Sequence, residues 1–239
     1  MNLKEREIAV CGRYGLTIAL TSDLHDSEPE NALSILKAKR PDIIAAPGDI
    51  FEMRNGLSDK EKAKINKAGY EFLEEAAKIA PVFYSLGNHD AFPTEKEREK
   101  ITNTGAVFLD NRYVSFKGIN IGGLSSGGSN RYFKTTHEPD LSFIKSFDKL
   151  DGFKLLLNHH PEYYEKYIKN TGIDLTLSGH AHGGQWIIFG KSIFAPGQGL
   201  FPKYTNGVYE NRLIVSRGMG GLTKIPRIGN PPEIIFIKI

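Results

Sequence analysis

The stretch "LTIALTSDLHD" (residues 16–26) decides the fold. Its first half is apolar and β-prone. Its second half turns abruptly polar, with an aspartate and a histidine two positions apart. A short apolar run ended by turn residues reads as a strand buried on both faces. The same shape returns at "DIIAAPGDIFE" (42–52), "VFYSLGNHD" (82–90), "FKLLLNHHPE" (153–162) and "DLTLSGHAH" (174–182). Helical patterns lie between the first three. "PENALSILKAKR" (29–40) sets Leu33 and Leu36 at helical spacing. "SDKEKAKINKAGYEFLEEAAKIA" (58–80) opens on a Ser58–Glu61 capping box and sets Ala63, Ala68, Phe72, Leu73, Ala76 and Ala77 near one face. Strand–helix–strand–helix–strand implies parallel strands covered by helices.

The rest of the chain reads differently. "AVFLDNRYVSFKGINIGGLS" (106–125), "QWIIFGKSIFAPG" (185–197), "GVYENRLIVSRG" (207–218) and "EIIFIKI" (233–239) are strands without helices between them, suited to mostly antiparallel meanders. No repeat or linker divides the chain. The expectation is one α/β domain over residues 1–239: a four-layer α-β-β-α sandwich of two mixed β-sheets flanked by helices. With 31 basic against 28 acidic side chains, the charge is too even to expect a specific nucleic-acid partner. The single cysteine, Cys11, excludes an internal disulfide and points to a reducing, cytoplasmic setting. No run approaches the roughly 18 apolar residues of a membrane span, and the first twenty residues lack a continuous apolar region, so at most peripheral membrane contact is expected.

The polar residues gather at the strand ends. Asp23 and His25 follow the first strand, and Asp49 and Glu52 the second. Asn88, His89 and Asp90 follow the third, Asn158, His159 and His160 the fourth, and His180 and His182 the fifth. Of the seven histidines only His137 lies elsewhere. Carboxyl ends of parallel strands line a ligand-binding crevice. A Ser-His-Asp site needs one histidine, and structural zinc sites lean on cysteine. Mixed Asp, Asn and His donors suit Mn, Fe, Zn or Ni. There are enough donors for two ions sharing a carboxylate, and two metals ~3.5–4 Å apart clamp an in-line displacement at phosphorus. Asp23 with His25, and His180 with His182, are read as i and i+2 positions of an extended chain, pointing to one side.

The order D-x-H, GD, GNH[DE], a later His and GHxH, all present from residue 23 to 182, resembles the calcineurin-like metallophosphoesterase superfamily, with its metallo-dependent phosphatase-like fold. "GGQWIIFG" and "NGVYENRLIVSRGMGGLTKIPRIGNPPEI" further resemble a subgroup of small bacterial phosphodiesterases similar to those acting on lipid-linked or nucleotide-sugar pyrophosphates such as UDP-diacylglucosamine. The resemblance implies two divalent metal ions: Asp23, His25 and His182 on one, Asn88, His159 and His180 on the other, and Asp49 bridging. It selects His159 over His160 through the H-x-P spacing before Pro161, leaving His160 as a supporting residue. It further implies a phosphodiesterase, active also on phosphomonoester or pyrophosphate bonds, in which a hydroxide bridging the metals attacks phosphorus and His89 is the general acid. Relatives carry an aspartate three residues past the bridging one to orient that histidine. Here Glu52 stands there, either as the orienting group or as a solvated loop charge, and Asp90 is the alternative.

Other residues stay open. Arg54, Arg131 and Arg217 are either phosphate contacts or surface arginines. Trp186 and Phe201 are read as core residues of the second sheet, with an apolar entrance as the alternative. "GLSSG" (123–127) matches G-x-S-x-G with Ser125 as nucleophile, which suits a serine hydrolase only if a helix follows. A metal-binding scaffold without turnover is the remaining alternative.

Overall fold

The computed structural model describes residues 2–10, 13–25, 27–52, 58–90, 94–126, 129–130, 135–136, 138–195, 198–220 and 227–239. Cys11, Arg54, Arg131 and His137 lie outside the described residues. In chain order the main elements are β1 (Lys4–Ala9), β2 (Thr17–Leu20), α1 (Glu30–Lys39), β3 (Ile43–Pro47), α2 (Asp59–Ile65), α3 (Lys67–Ala77), β4 (Val82–Ser85), α4 (Glu95–Asn103), β5 (Val107–Phe108), β6 (Arg112–Phe116), β7 (Ile119–Leu124), α5 (Leu141–Asp148), β8 (Phe153–Asn158), β9 (Leu175–Ser178), β10 (Gly207–Tyr209), β11 (Leu213–Val215) and β12 (Glu233–Lys238).

Two six-stranded sheets result, ordered β1-β12-β2-β3-β4-β5 and β10-β11-β9-β8-β7-β6. Side-chain alternation along each strand sorts the core into layers. Ile18, Leu20, Ile43 and Ala45 of the first sheet meet Ile121, Leu155, Leu157, Leu175 and Leu177 of the second in one buried cluster between the sheets. The alternate residues Ala19, Ile44 and Ala46 face outward against Leu33 and Leu36 of α1 and Phe72, Leu73 and Ala76 of α3. Leu156, Leu213 and Val215 face the opposite way, against Phe143 and Phe147 of α5 and against Tyr164 and Ile168. The order of layers is therefore helix, sheet, sheet, helix, as the apolar runs imply.

Three features depart from the sequence reading. The helix expected over 58–80 is two helices, broken at Asn66. Its side chain is drawn away from the helix end, and its Oδ1 accepts from the Glu52 backbone N–H at 2.8 Å. The helical break thus holds the loop after β3. Second, the strands of the middle and the C-terminal third are antiparallel only in part, although 185–200 does form two short antiparallel strand pairs. β6 with β7 and β10 with β11 form antiparallel pairs, but β7 pairs parallel with β8, β11 parallel with β9, and β5 parallel with β4. β12 inserts between β1, parallel, and β2, antiparallel. Third, β1, α4 and α5 are not among the elements read from the sequence. β1 is polar and exposed along much of its length, and its partner β12 lies at the far end of the chain. α4 opens on a Thr94–Glu97 capping box, and α5 is capped by Asp140, which accepts from Ser142 and Phe143 N–H.

The loops after β2, β3, β4, β8 and β9 meet at one end of the sandwich. Asp23 N–H donates to Gly48 O, His25 N–H to Asp49 O, and Gly179 N–H to His159 O. His180 N–H donates to both carboxylate oxygens of Asp23, at 3.1 and 3.2 Å, joining the two sheets at the site.

Candidate metal centre

Six of the seven candidate ligands come together in two adjoining groups. In the first, His25 Nε2 lies 3.2 Å from His182 Nε2 and 3.7 Å from Asp23 Oδ1, and His182 Nε2 lies 3.5 Å from that same oxygen. In the second, Asp49, His159 and His180 bring their donor atoms within 4.8 Å of one another. Asp49 Oδ2 sits between the groups, 3.0 Å from His159 Nε2 and 3.8 Å from His25 Nε2. Asp49 Oδ2, Asn88 Oδ1, His159 Nε2 and His180 Nε2 are all buried, and apart from the 3.0 Å approach of His159 Nε2 to Asp49 Oδ2 none has a hydrogen-bond partner. Leaving Asn88 Oδ1 and His180 Nε2 in that state costs on the order of 1–3 kcal/mol each. A divalent cation satisfies them together, so the donor set fits a metal.

The backbone that aims these side chains is unusual. Asp23 (φ 54°), His25 (49°), Asp49 (54°), His180 (66°) and His182 (45°) all occupy the left-handed region, which residues with a Cβ rarely adopt. The extended i, i+2 arrangement read from the sequence is therefore wrong for both pairs. The chain turns sharply at each ligand, and the turns are held by cross-loop hydrogen bonds. Glycine is required where these turns touch: a methyl group at Gly87 would overlap Asp49 Oδ1, and one at Gly179 would overlap Asp23 Oδ2.

Outer contacts set the ring orientations. His159 Nδ1 bonds Pro47 O at 2.8 Å and His25 Nδ1 bonds Glu52 Oε1 at 2.8 Å, which leaves both Nε2 atoms toward the centre. Supporting partners of this kind fix ligand tautomers in metal sites. Glu52 is buried, and its Oε1 also lies 3.0 Å from His89 Nδ1. His89 N–H donates to Asp49 Oδ1 at 2.8 Å. Asp90 does not orient His89. Its carboxylate accepts from the backbone N–H groups of Asp49, Phe51 and Gly87 at 2.7, 2.9 and 2.6 Å, clamping two ligand loops together. Burial and the neighbouring Asp49 push Asp90 up to about 6.

The charges divide in the same way. Burial opposes the charge on His25, but Asp23 and Glu52 override it and hold the ring up at about 10. Burial likewise opposes His159, which Asp49 holds up at about 9. Burial pushes His182 down to about 3, helped by His25 and by Arg227, whose Nη2 lies 3.1 Å from His182 Nδ1. Burial and His160 drive His180 far below the imidazole range. Without a cation, then, His25 and His159 carry protons that balance the carboxylates. A divalent cation must displace them, so its affinity is expected to rise with pH until His159, near 9, and His25, near 10, have lost their protons. Manganese added at pH 7 to weakly buffered apoprotein should release about two protons per chain. A pH-stat trace showing no release would contradict this.

Sequence reasoning missed Asn66, Arg227 and Glu162, which carry no motif of their own. Arg217 bonds Asn206 Oδ1 through Nη2, and its backbone N–H donates to Glu233. Ser125 Oγ donates to Asp110 Oδ1 at 2.6 Å, and no helix follows it directly among the described residues. Trp186 and Phe201 are not core residues, being 39% and 73% exposed.

Comparison with known proteins matches this geometry. Residues 16–184 fit the family model described as calcineurin-like phosphoesterase. The chain is 27% identical to the uncharacterised metallophosphoesterase YkoQ of Bacillus subtilis (strain 168), across 95% of this chain and 84% of that protein. It is 32% identical to UDP-2,3-diacylglucosamine pyrophosphatase LpxG of Chlamydia muridarum (strain MoPn / Nigg), across 94% and 84%. It is 26% identical to phosphodiesterase YaeI of Escherichia coli (strain K12), across 93% and 81%. The matched segment contains all five strand-end blocks, and the chain belongs to the calcineurin-like phosphoesterase family as a metal-dependent phosphoesterase.

Proposed function

We propose that the chain is a dinuclear phosphodiesterase. Asp23, His25 and His182 would hold one divalent cation (Mn, Fe, Zn or Ni) and Asn88, His159 and His180 the other, with Asp49 shared. The observation that carries this reading is the buried donor set of Asp49, Asn88, His159 and His180, whose Oδ2, Oδ1 and Nε2 atoms have no hydrogen-bond partner outside the set. When bound, the cations supply Lewis acidity and lower the pKa of an attacking water. The protein's own residues do the rest. Asp49 is fixed by His89 N–H on Oδ1, which leaves Oδ2 to the centre. Glu52 holds His89 at Nδ1, so Nε2 is the atom left to give a proton to the departing oxygen. Cleavage then ends with the proton on the leaving alcohol and Glu52 still paired to the imidazole.

The substrate class proposed is an amphiphilic phosphodiester or pyrophosphate of the lipid-linked or nucleotide-sugar kind. The turn carrying His182 runs straight into a small hairpin, Ile187–Ile188 with Lys191–Ser192, tied back by Ser192 Oγ to Gly183 O at 3.0 Å. Phe189 at its tip is fully exposed, and Leu200 and Phe201 nearby are 70% and 73% exposed. A cavity of about 400 Å³ lies among Lys191, Phe201, Lys203, Asn206 and Tyr209. Exposed aromatic and aliphatic groups with Lys191, beside a Lys203 that Glu165 pairs at 2.7 Å, suit a ligand with an apolar body and an anionic group. Contact with a membrane surface would be peripheral: among the described residues no helix is long and apolar enough to cross a bilayer.

The test is direct. Manganese-loaded protein is expected to hydrolyse bis(p-nitrophenyl) phosphate faster than p-nitrophenyl phosphate, with chelation abolishing both activities. Loaded protein that cleaves neither ester would overturn the reading and favour a scaffold without turnover.

A further inference from the structure

The "GLSSG" segment has a second serine, and its partners lead to the centre from another side. Ser126 Oγ lies 2.7 Å from His160 Nε2, and His160 Nδ1 lies 3.1 Å from Glu162 Oε1. Ser126 and His160 are buried. A serine, a histidine and a glutamate in a row have the donor order of an activated nucleophile, but the serine hydroxyl is buried. With the hydroxyl donating to Nε2, Nδ1 carries the hydrogen and donates to Glu162. The relay ends by fixing a carboxylate. That carboxylate sits at the margin of the second group of donors: Oε1 is 3.8 Å from His180 Nε2, and Oε2 is buried with no hydrogen-bond partner. Among the described residues no lysine or arginine forms an ion pair with Glu162; its charged neighbours are His160 and His180.

Glu162 is therefore a rigid negative charge without a cationic side chain to neutralise it, beside the place where a phosphate would bind. The donor atoms of Asp49, His159 and His180 converge without it, while Glu162 forms an adjoining group with His160 and the shared His180. We propose that Glu162 is a specificity residue that disfavours doubly charged phosphates and so selects diesters over monoesters. The inference rests on the phosphoesterase reading above and deepens it. The physical reason is charge matching. Two divalent cations facing Asp23 and Asp49 leave a positive surplus that suits a dianion. Glu162 removes one charge from that surplus. A phosphomonoester carries close to two negative charges above pH 7, because its second pKa is about 6, whereas a diester carries one. Like charges a few ångströms apart near a protein surface repel by enough to shift affinity about tenfold or more.

The experiment uses manganese-loaded wild type, Glu162→Gln and Glu162→Asp, with metal content measured for each. Two quantities are read at pH 8: calorimetric affinity for inorganic phosphate, and the ratio of kcat/KM for p-nitrophenyl phosphate to that for its bis ester. Glu162→Gln, which still accepts from His160, is expected to bind phosphate about tenfold more tightly and to raise the ratio about tenfold. Glu162→Asp keeps the charge and should stay near wild type in both. Unchanged phosphate affinity and ratio in a fully loaded Glu162→Gln protein would overturn the proposal. Loss of manganese from Glu162→Gln would overturn it too, making Glu162 a ligand instead. A wild type inert toward both esters, with phosphate affinity still shifted by Glu162→Gln, would sink the phosphoesterase reading and uphold the charge role of Glu162.

Discussion

Asp49→Asn is expected to lower manganese binding from two ions per chain to at most one, and to reduce kcat for a phosphodiester by about a thousandfold or more. The substitution is nearly isosteric, and its Oδ1 still accepts from His89 N–H, so the loop after β3 keeps its shape. What changes is the charge on Oδ2, the oxygen that lies between His159 Nε2 and His25 Nε2. Asp23 Oδ1 also approaches the second group, at 4.0 Å from His159 Nε2, but Asp49 Oδ2 lies nearer, at 3.0 Å. The Asp90 clamp on the backbone of residues 49, 51 and 87 is untouched, so the fold should survive. Metal analysis with single-turnover kinetics checks this. A variant that keeps two ions and stays within tenfold of wild type would contradict the shared role of Asp49.

The second large effect is expected at His89. Alanine there should cost about 10²- to 10⁴-fold in kcat while both ions remain, because proton donation contributes on that scale and His89 is not a ligand. The loss should depend on the leaving group. A p-nitrophenolate departs with little need of a proton, whereas an alkoxide needs one, so His89→Ala should harm an alkyl diester far more than an activated aryl one. Glu52→Gln should follow the same pattern with a smaller loss, and with some loss of metal, since Glu52 Oε1 serves both His25 and His89. Equal losses for aryl and alkyl substrates would remove His89 from the role of proton donor.

The strand ends were legible because of how the strands are buried. β2, β3, β4, β8 and β9 are covered on both faces, so each reads as an unbroken apolar run, and the switch to polar residues marks its end. The metal-type residues stood out for the same reason, as polar clusters beside such runs, although Asp90 and Asn158 hold backbone instead. The backbone shape at the ligands was hidden. Left-handed φ values announce themselves at glycine, not at Asp23 or His180, and here they are imposed by hydrogen bonds from loops up to 157 residues away. Parallel pairing of β7 with β8 and of β11 with β9 was hidden as well, because short strands without a helix between them look like a meander. Glu162 and Arg227 were invisible because their meaning lies in their neighbours: one is aimed by His160, and the other rests against His182. The exposed Trp186 and Phe201 misled because large apolar residues near strands usually belong to a core.

The central claim is that two divalent cations share Asp49. The most direct measurement is a manganese titration of apoprotein followed by electron paramagnetic resonance and elemental analysis. The structure predicts saturation at two ions per chain, with the isolated-ion signal giving way to an exchange-coupled one as the second ion binds. Saturation at a single ion, or two ions that remain magnetically independent, would contradict it.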